Sequence, residues 1–410
     1  MNINIFKSGA VHNICLLSAM AMVIASCNKD LPVAEPIVYP PANNSTTTIG
    51  EMILKDTANY SFFVAAASKV GMLAQLSDSS KVFTVFLPDN AAFRASGFPS
   101  VAAVAAQSPA TLGAIVGYSI IPGRQYISDS VSTAFPNIQL PTSMTIGALP
   151  GTPLPLKMST FPSKRSNGFW DNNIPVLKPD NKFSNGVVHV VAGIVAPPSQ
   201  VLKSAIYSNP DLSYFKAAIA RADSGMTGLN KFDSLLGYAV TNMTVLVPND
   251  NAFKTLLFGS IYGALLSQGI DNSTALAQAT ALSSSAAVFS NPALFSVFTA
   301  TTVRGILAYH FLATNVGAGF QPNIRAFSVN FSETPAFFTT LVNSSVAVHP
   351  GILGQATFTG PFVSSLKFTG LGTFPPGGAP YSGDAANVVK MDQQAVNGVY
   401  HIIDKVLLPK

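Results

Sequence analysis

Short apolar runs with the same polar punctuation occur twice along this chain. VFTVFLPDNAAF (82–93) and MTVLVPNDNAF (243–253) each read as an apolar run, a proline, Asn and Asp, then Ala-Phe. A short, nearly continuous apolar run predicts a strand buried on both faces. The proline ends it, and the Asp or Asn side chain can accept from the free amides that open a helix. Phe93 and Phe253 then fall in the first helical turn. Upstream, TIGEMILKDTANYSFFVAAASKVGMLAQL (48–76) and SQVLKSAIYSNPDLSYFKAAIARA (199–222) are amphipathic. Phe62 or Phe63, Ala66, Val70 and Leu73 recur at helical spacing, which predicts helix facing a core.

Two further pairs follow in the same order. LGAIVGYSIIPGRQY (112–126) and RGILAYHFLATNVGAG (304–319) are helix-like runs leading to Tyr118 or Tyr309 and a glycine turn. NGVVHVVAGIVAPP (185–198) and NGVYHIIDKVLLPK (397–410) open with Asn-Gly, a turn signal, and continue as strands. Alternation places Val187, His189 and Val191 on one face, with Val188, Val190 and Ala192 on the other; Val399, His401 and Ile403 likewise share a face. The displacement between copies grows along the chain: 160 residues from Pro88 to Pro248, 191 from Tyr118 to Tyr309, and 212 from Asn185 to Asn397. Insertions in the second copy are therefore expected near 259–296, an Ala/Ser/Leu-rich stretch that reads as helix, and near 320–395. The first copy has its own turn-rich excursion, 129–180, with the lone tryptophan, Trp170. Long loops on a rigid module commonly carry binding specificity.

Composition narrows the class. At 410 residues the chain is long enough for two or three domains. Hydrophobic residues make up 48% and charged residues only 10%, against roughly 25% charged in ordinary soluble domains. Ser, Thr, Asn, Gly and Pro take over the polar role, as suits an exported β-rich protein rather than a cytosolic enzyme. The net charge is +5, with cations scattered and no basic stripe, so nucleic acid is not an expected partner.

The N-terminus reads as an address. Lys7 precedes an apolar run, ICLLSAMAMVIAS, of signal-peptide length that is too short to span a bilayer. It ends Ile24-Ala25-Ser26-Cys27, which resembles the bacterial lipobox. That resemblance implies cleavage after residue 26 and acylation of Cys27. Cleavage removes Cys15, the other cysteine, so no disulfide is expected. Residues 27–47, rich in proline and small polar side chains, read as a flexible tether. Asn28-Lys29-Asp30 resembles the tag that sends some lipoproteins to the outer face of a Gram-negative outer membrane; a plain linker start is the alternative.

TVFLPDNAAF and TVLVPNDNAF resemble the first signature of fasciclin-type (FAS1) domains, and NGVVHVV and NGVYHIIDKVLLP the second. The resemblance spans about residue 47 to 410 and implies an α+β protein of two tandem modules. Each is expected to be a β-sandwich or wedge with a cluster of helices at one edge. The expected divisions are leader 1–26, tether 27–47, first module 48–198 and second module 199–410.

Candidate chemistry is thin. His12 leaves with the leader; His189 and His401 lie in apolar strands and read as core histidines bonded to backbone; His349 stands on a loop. No His-x-His, Cys-x-x-Cys or His-Glu-x-x-His spacing suggests a metal, and no G-x-S-x-G, Rossmann or phosphate-loop motif suggests catalysis. Neither an enzymatic activity nor a cofactor is expected. Tyr309-His310 resembles the family's Tyr-His motif, which in animal members implies integrin adhesion, although the first copy has Tyr118-Ser119. The residues singled out are thus Cys27 for lipid attachment, and Tyr309, His310 and an exposed Trp170 for binding. The resulting expectation is a lipid-anchored surface protein, held in the membrane through acylated Cys27, that recognises extracellular protein or polysaccharide. The alternative is an accessory subunit of an envelope or nutrient-capture complex, with a periplasm-facing location as the alternative address.

Overall fold

Thr48 opens the first helical layer with a reciprocal cap: its hydroxyl accepts from the Glu51 amide at 3.2 Å, and the Glu51 carboxylate accepts from the Thr48 amide at 2.8 Å. The computed structural model describes residues 45–149, 151–317, 319–372, 381, 383 and 385–410. The expected leader, Cys27 and all but the end of the tether lie outside the described residues. Residues 45 onward belong to one compact unit.

The first copy begins with helices α1 (Ile49–Lys55), α2 (Thr57–Lys69) and α3 (Met72–Leu76), then strand β1 (Phe83–Pro88). Helices α4 (Asn90–Ala95), α5 (Val101–Ala105) and α6 (Pro109–Tyr118) follow, then β2 (Ile120–Pro122). The excursion forms β3 (Leu140–Ala148), β4 (Pro155–Thr160), β5 (Pro162–Arg165) and β6 (Gly168–Asp171). The copy closes with β7 (Ile174–Phe183) and β8 (Gly186–Val191). The second copy runs α7 (Leu202–Tyr207), α8 (Ser213–Ala222), α9 (Phe232–Gly237), β9 (Met243–Pro248), α10 (Asp250–Ser267), α11 (Asn272–Ser283) and α12 (Ala300–Tyr309). Its strands are β10 (Phe311–Leu312), β11 (Thr314–Val316), β12 (Gly319–Gln321), β13 (Ala336–Phe338), β14 (Ile352–Thr359), β15 (Phe362–Thr369), β16 (Ala386–Ala395) and β17 (Gly398–Ile403).

The two main sheets have matching hearts. Their orders are β2-β1-β8-β7-β6-β5 and β10-β9-β17-β16-β15-β14-β13. In each, the proline-ended strand pairs parallel with the histidine strand, Phe83 to Gly186 through Pro88 to Val191 and Met243 to Gly398 through Pro248 to Ile403. Parallel central strands are covered on both faces, which is why these runs are apolar throughout. Val85, Leu87, Val188 and Val190 pack under the helices, while Phe86 and Val191 face a second cluster with Leu140 and Phe169. In the second copy Val245, Val247, Tyr400 and Ile402 face the helices, and Leu246 and Ile403 face the far strands. The helices thus cover a face of each sheet's central pair.

The first signature divides its two polar residues between two helices. Asp89 accepts from the Ala92 amide at 2.7 Å and caps α4; Asn90, one step on, accepts from the Phe62 amide of α2 at 3.0 Å. In the second copy Asn249 caps α10 through the Ala252 amide at 2.8 Å, and Asp250 accepts from the Tyr214 amide of α8 at 3.0 Å. The order Asp-Asn becomes Asn-Asp and each position keeps its task, because only a side-chain acceptor is required.

The hairpin loop before β8 is Ser184-Asn185, one position earlier than an Asn-Gly turn would use. Gly186 starts the strand because a Cβ there would lie 2.1 Å from the Phe83 carbonyl oxygen. Asn185 is fully buried: its Oδ1 accepts from the Ile49 amide at 2.8 Å, and its Nδ2 donates to the carbonyls of Leu76 and Asp78. Asn397 repeats this, accepting from the Leu202 amide at 2.7 Å and donating to Leu236 and Tyr238. The motif that reads as a turn is also the clasp between sheet and helices.

Candidate functional site

His189 and His401 each sit at the hub of a duplicated polar network. A register shift in β7 puts Asp180 in the left-handed region (φ 61°), and Asp392 on β16 does the same (φ 52°). An aspartate tolerates that conformation, and the bulge turns its amide inward. The Asp180 amide donates to His189 Nδ1 at 3.2 Å, so the proton sits on Nε2, which donates to the Tyr126 carbonyl at 2.8 Å. His401 takes the amide of Asp392 at 3.2 Å and donates to the Ala326 carbonyl at 3.0 Å. Each aspartate carboxylate in turn receives an amide and a hydroxyl from one serine, Ser128 or Ser328, at 2.7 and 2.5 Å.

Ser, His and Asp are the residues of a nucleophilic triad, but here they are wired differently. In a triad the imidazole faces the hydroxyl with a free lone pair. Here both ring nitrogens are engaged with backbone, and the serine bonds the carboxylate. Burial pushes both imidazoles below their usual range and so holds them neutral. The core-histidine reading of the sequence matches this geometry.

Tyr309 and His310 are fully buried, so neither side chain is presented at the surface for binding. The Tyr309 hydroxyl donates to the Gly351 carbonyl at 2.6 Å and accepts from the Leu371 amide at 3.0 Å. His310 Nδ1 donates to the Ile306 carbonyl at 2.8 Å, and its Nε2 accepts from the Leu407 amide at 3.0 Å. Burial pushes the imidazole down to about 4. His349 packs edge-on against the Tyr309 ring, at 5.2 Å between centroids, rather than standing alone.

Trp170, expected as an exposed contact, has no exposed surface. Its Nε1 donates to the Pro361 carbonyl at 2.8 Å, and its ring packs in one cluster with Phe161, Phe327, Val329 and Val399. An indole is large and apolar with one donor, which suits a buried seam that offers a carbonyl. This seam joins the copies. Asn137 and Asn330 exchange amide hydrogen bonds at 2.8 and 3.2 Å, Asn172 donates to Gln394 at 3.2 Å, and Asn173 donates to Asp392 at 3.2 Å.

Three buried polar groups lie in and around the seam, of which the sequence marked only Tyr118, as a landmark of the repeat. Asp171 is fully buried; Thr160 donates to its Oδ1, its Oδ2 lacks a partner, and desolvation pushes its carboxyl up to about 7. Tyr118 donates to the Ser159 carbonyl at 3.1 Å, and burial raises its hydroxyl to about 12. Arg325 lies with its guanidinium 4.6 Å from the Phe161 ring centroid. A lone cation in the apolar stretch NIRAFSVNF (323–331) was the available signal. Beside the seam is a cleft of about 370 Å³, with walls from both copies. Among the described residues no group of three His, Cys, Asp or Glu side chains is placed to hold a metal, and no helix is long and apolar enough to cross a membrane.

The fold thus defines an α+β protein built from a repeated module, with a sheet under helices and a histidine-centred polar hub in each copy. Residues 58–197 match the family model of the Fasciclin domain, so the first copy is fasciclin-like. No curated protein matches it. Among solved structures, it is similar to a FAS1 domain pair from the insect cell adhesion molecule Fasciclin I. The identity is 15%, over 85% of this chain and 96% of that one, with a TM-score of 0.34.

Proposed function

We propose that this chain is a lipid-anchored surface protein whose two fasciclin-like domains bind extracellular protein or polysaccharide. The Fasciclin domain match over residues 58–197 carries the reading, since such domains are known in cell adhesion proteins. The leader ending Ile24-Ala25-Ser26-Cys27 supports acylation at Cys27 and location at the outer membrane, and the proline-rich tether would project the modules outward. With Trp170, Tyr309 and His310 buried, contact falls to the loops and outer strands of the modules. Purified mature protein should bind a glycan or matrix component on an array, and deletion of the gene should reduce attachment of cells. Failure of both ends the reading.

The accessory-subunit alternative draws on the exposed apolar side chains Phe337, on β13, and Val346 and Val348, on the loop entering β14; Val348 is 91% exposed. Stoichiometric co-purification of an envelope protein after mild cross-linking would favour it over adhesion.

A further inference from the structure

Arg325 is buried in the seam with one arm of its guanidinium unmatched. Nε donates to Asn242 Oδ1 at 2.8 Å and Nη2 to the Val396 carbonyl at 3.0 Å, while Nη1 has no partner. Among the described residues no carboxylate bridges to it. A buried cation without a counter-charge is strongly disfavoured, and burial lowers this guanidinium to about 10.

Arg325 lines the cleft beside the seam. At about 370 Å³ the cleft falls within the range of small-molecule sites, roughly 300–1,000 Å³. The first copy contributes Gln139 and Lys157, and the second Asn242, Gln321 and Asn323; no lining residue is acidic. Lys157 Nζ is held by the Ser143 carbonyl and the Thr145 hydroxyl, which fixes a second cation in the same wall. Amide side chains both donate and accept, so they match hydroxyl groups.

We propose that this cleft binds a uronic-acid unit of an acidic polysaccharide, its carboxylate drawn to the two cations of the wall, Arg325 and Lys157, and its hydroxyls meeting the amide wall. The proposal rests on the polysaccharide arm of the proposed function and names its ligand class. A carboxylate forms a strong charge-assisted pair with a guanidinium. A neutral sugar offers the two cations of the wall no counter-charge, so the acid is selected over its neutral counterpart.

The test is calorimetric titration of the mature chain with oligogalacturonate, a neutral glucose oligomer, acetate and a sulfated oligosaccharide. Oligogalacturonate should bind saturably and more weakly as salt is raised, and the neutral oligomer and acetate should not bind. Arg325→Gln should weaken binding by about tenfold or more, as loss of a charge-assisted pair requires. Because that buried site can affect folding, Lys157→Gln and Gln321→Ala serve as the second arm, each expected to weaken binding several-fold at an unchanged melting temperature. Equal affinity for the neutral oligomer, tighter binding of the sulfated one, or unchanged affinity in both wall variants overturns the site. If other glycans or matrix proteins still bind, adhesion stands while the uronate site falls. If none binds on the array, adhesion falls, and the direct titration still decides the cleft.

Discussion

The two copies agree in their buried polar contacts and differ in their helices and outer strands. Thr84 and Thr244 show the agreement well. Each donates to a carbonyl forty or eighty residues on, Arg124 or Ile324, and each accepts an amide from that same segment, all at 2.8 Å. By contrast, α4 spans six residues where α10 spans eighteen, and the helix that follows spans five residues in α5 but twelve in α11. A buried polar group is costly unless every partner stays in place. Such groups therefore lock the register of the central strands. A longer helix only needs an apolar face, and Ala275 and Ala279 supply it on α11. The hub is constrained by hydrogen-bond geometry, the periphery only by hydrophobicity.

The strongest way to break the comparison is to separate the copies. Trp170→Ala removes the largest side chain of the seam and orphans the Pro361 carbonyl. The expected loss is about 4 kcal/mol. Urea unfolding followed by two probes, one in each copy, should pass from a shared transition to two separate ones. A single unsplit transition would show that other contacts couple the copies.

Next come the clasps. Asn185→Ala and Asn397→Ala each leave a buried helix amide and two carbonyls unmatched. Each should cost about 3 kcal/mol, and the two losses should agree within about 1 kcal/mol because the geometry is repeated. Denaturant midpoints of the two variants measure this. A large inequality would mean that the equivalence is one of shape and not of energy.

The clasp and the seam differ in how far the sequence reveals them. Paired motifs expose the parallel strands, the capping residues and the core histidines, because each is a local pattern that occurs twice. Asn185 is visible as a turn residue, but its bonds to Ile49 and Leu76 span more than a hundred positions. The seam has no repeat to betray it: Trp170 meets Pro361, and Asn137 meets Asn330, across roughly 190 residues. A lone tryptophan in a turn-rich excursion reads as exposed when the surface that covers it comes from the other copy. Tyr309-His310 misleads for a related reason, since a motif shared with a family says nothing about which side of the chain the pair faces.

Titration sharpens the contrast, because each copy holds a buried ionisable group that the other lacks. Asp171 belongs to the first. Its folded pKa is raised to about 7 from 3.8, so between those values the native state keeps a proton that the unfolded chain has released. Its contribution is therefore full at acid pH and is lost as pH rises towards about 7. Asp171→Asn keeps the shape and removes the charge. It should stabilise the protein by about 2 kcal/mol above neutral pH and leave it nearly unchanged near pH 4. Melting temperatures across that window test the sign; a larger gain at acid pH would show that the carboxylate is ionised in the fold.

His310, unique to the second copy, should show the smallest effect and the opposite sign. Ser119 takes its place in the first copy, where the hydroxyl donates to the Val116 carbonyl at 2.9 Å much as His310 donates to Ile306. Both residues also offer their own carbonyl to the adjoining strand, to the amide of Phe86 at 2.9 Å or of Leu246 at 2.8 Å. What the imidazole adds is the bond from the Leu407 amide, which ties down the segment after β17. His310→Ser should therefore cost about 1 kcal/mol at neutral pH, the value of one buried hydrogen bond. The folded pKa is depressed to about 4 from 6.5, so the unfolded chain takes up a proton in that window and the native imidazole does not. The contribution of His310 is present above about 6.5 and is lost as pH falls towards about 4. The deficit of the serine variant should shrink over the same window and then reverse, because the linkage loss exceeds one hydrogen bond. A deficit that stays constant with pH would mean that the histidine is held by packing alone, and that the two copies differ at this position in shape and not in charge.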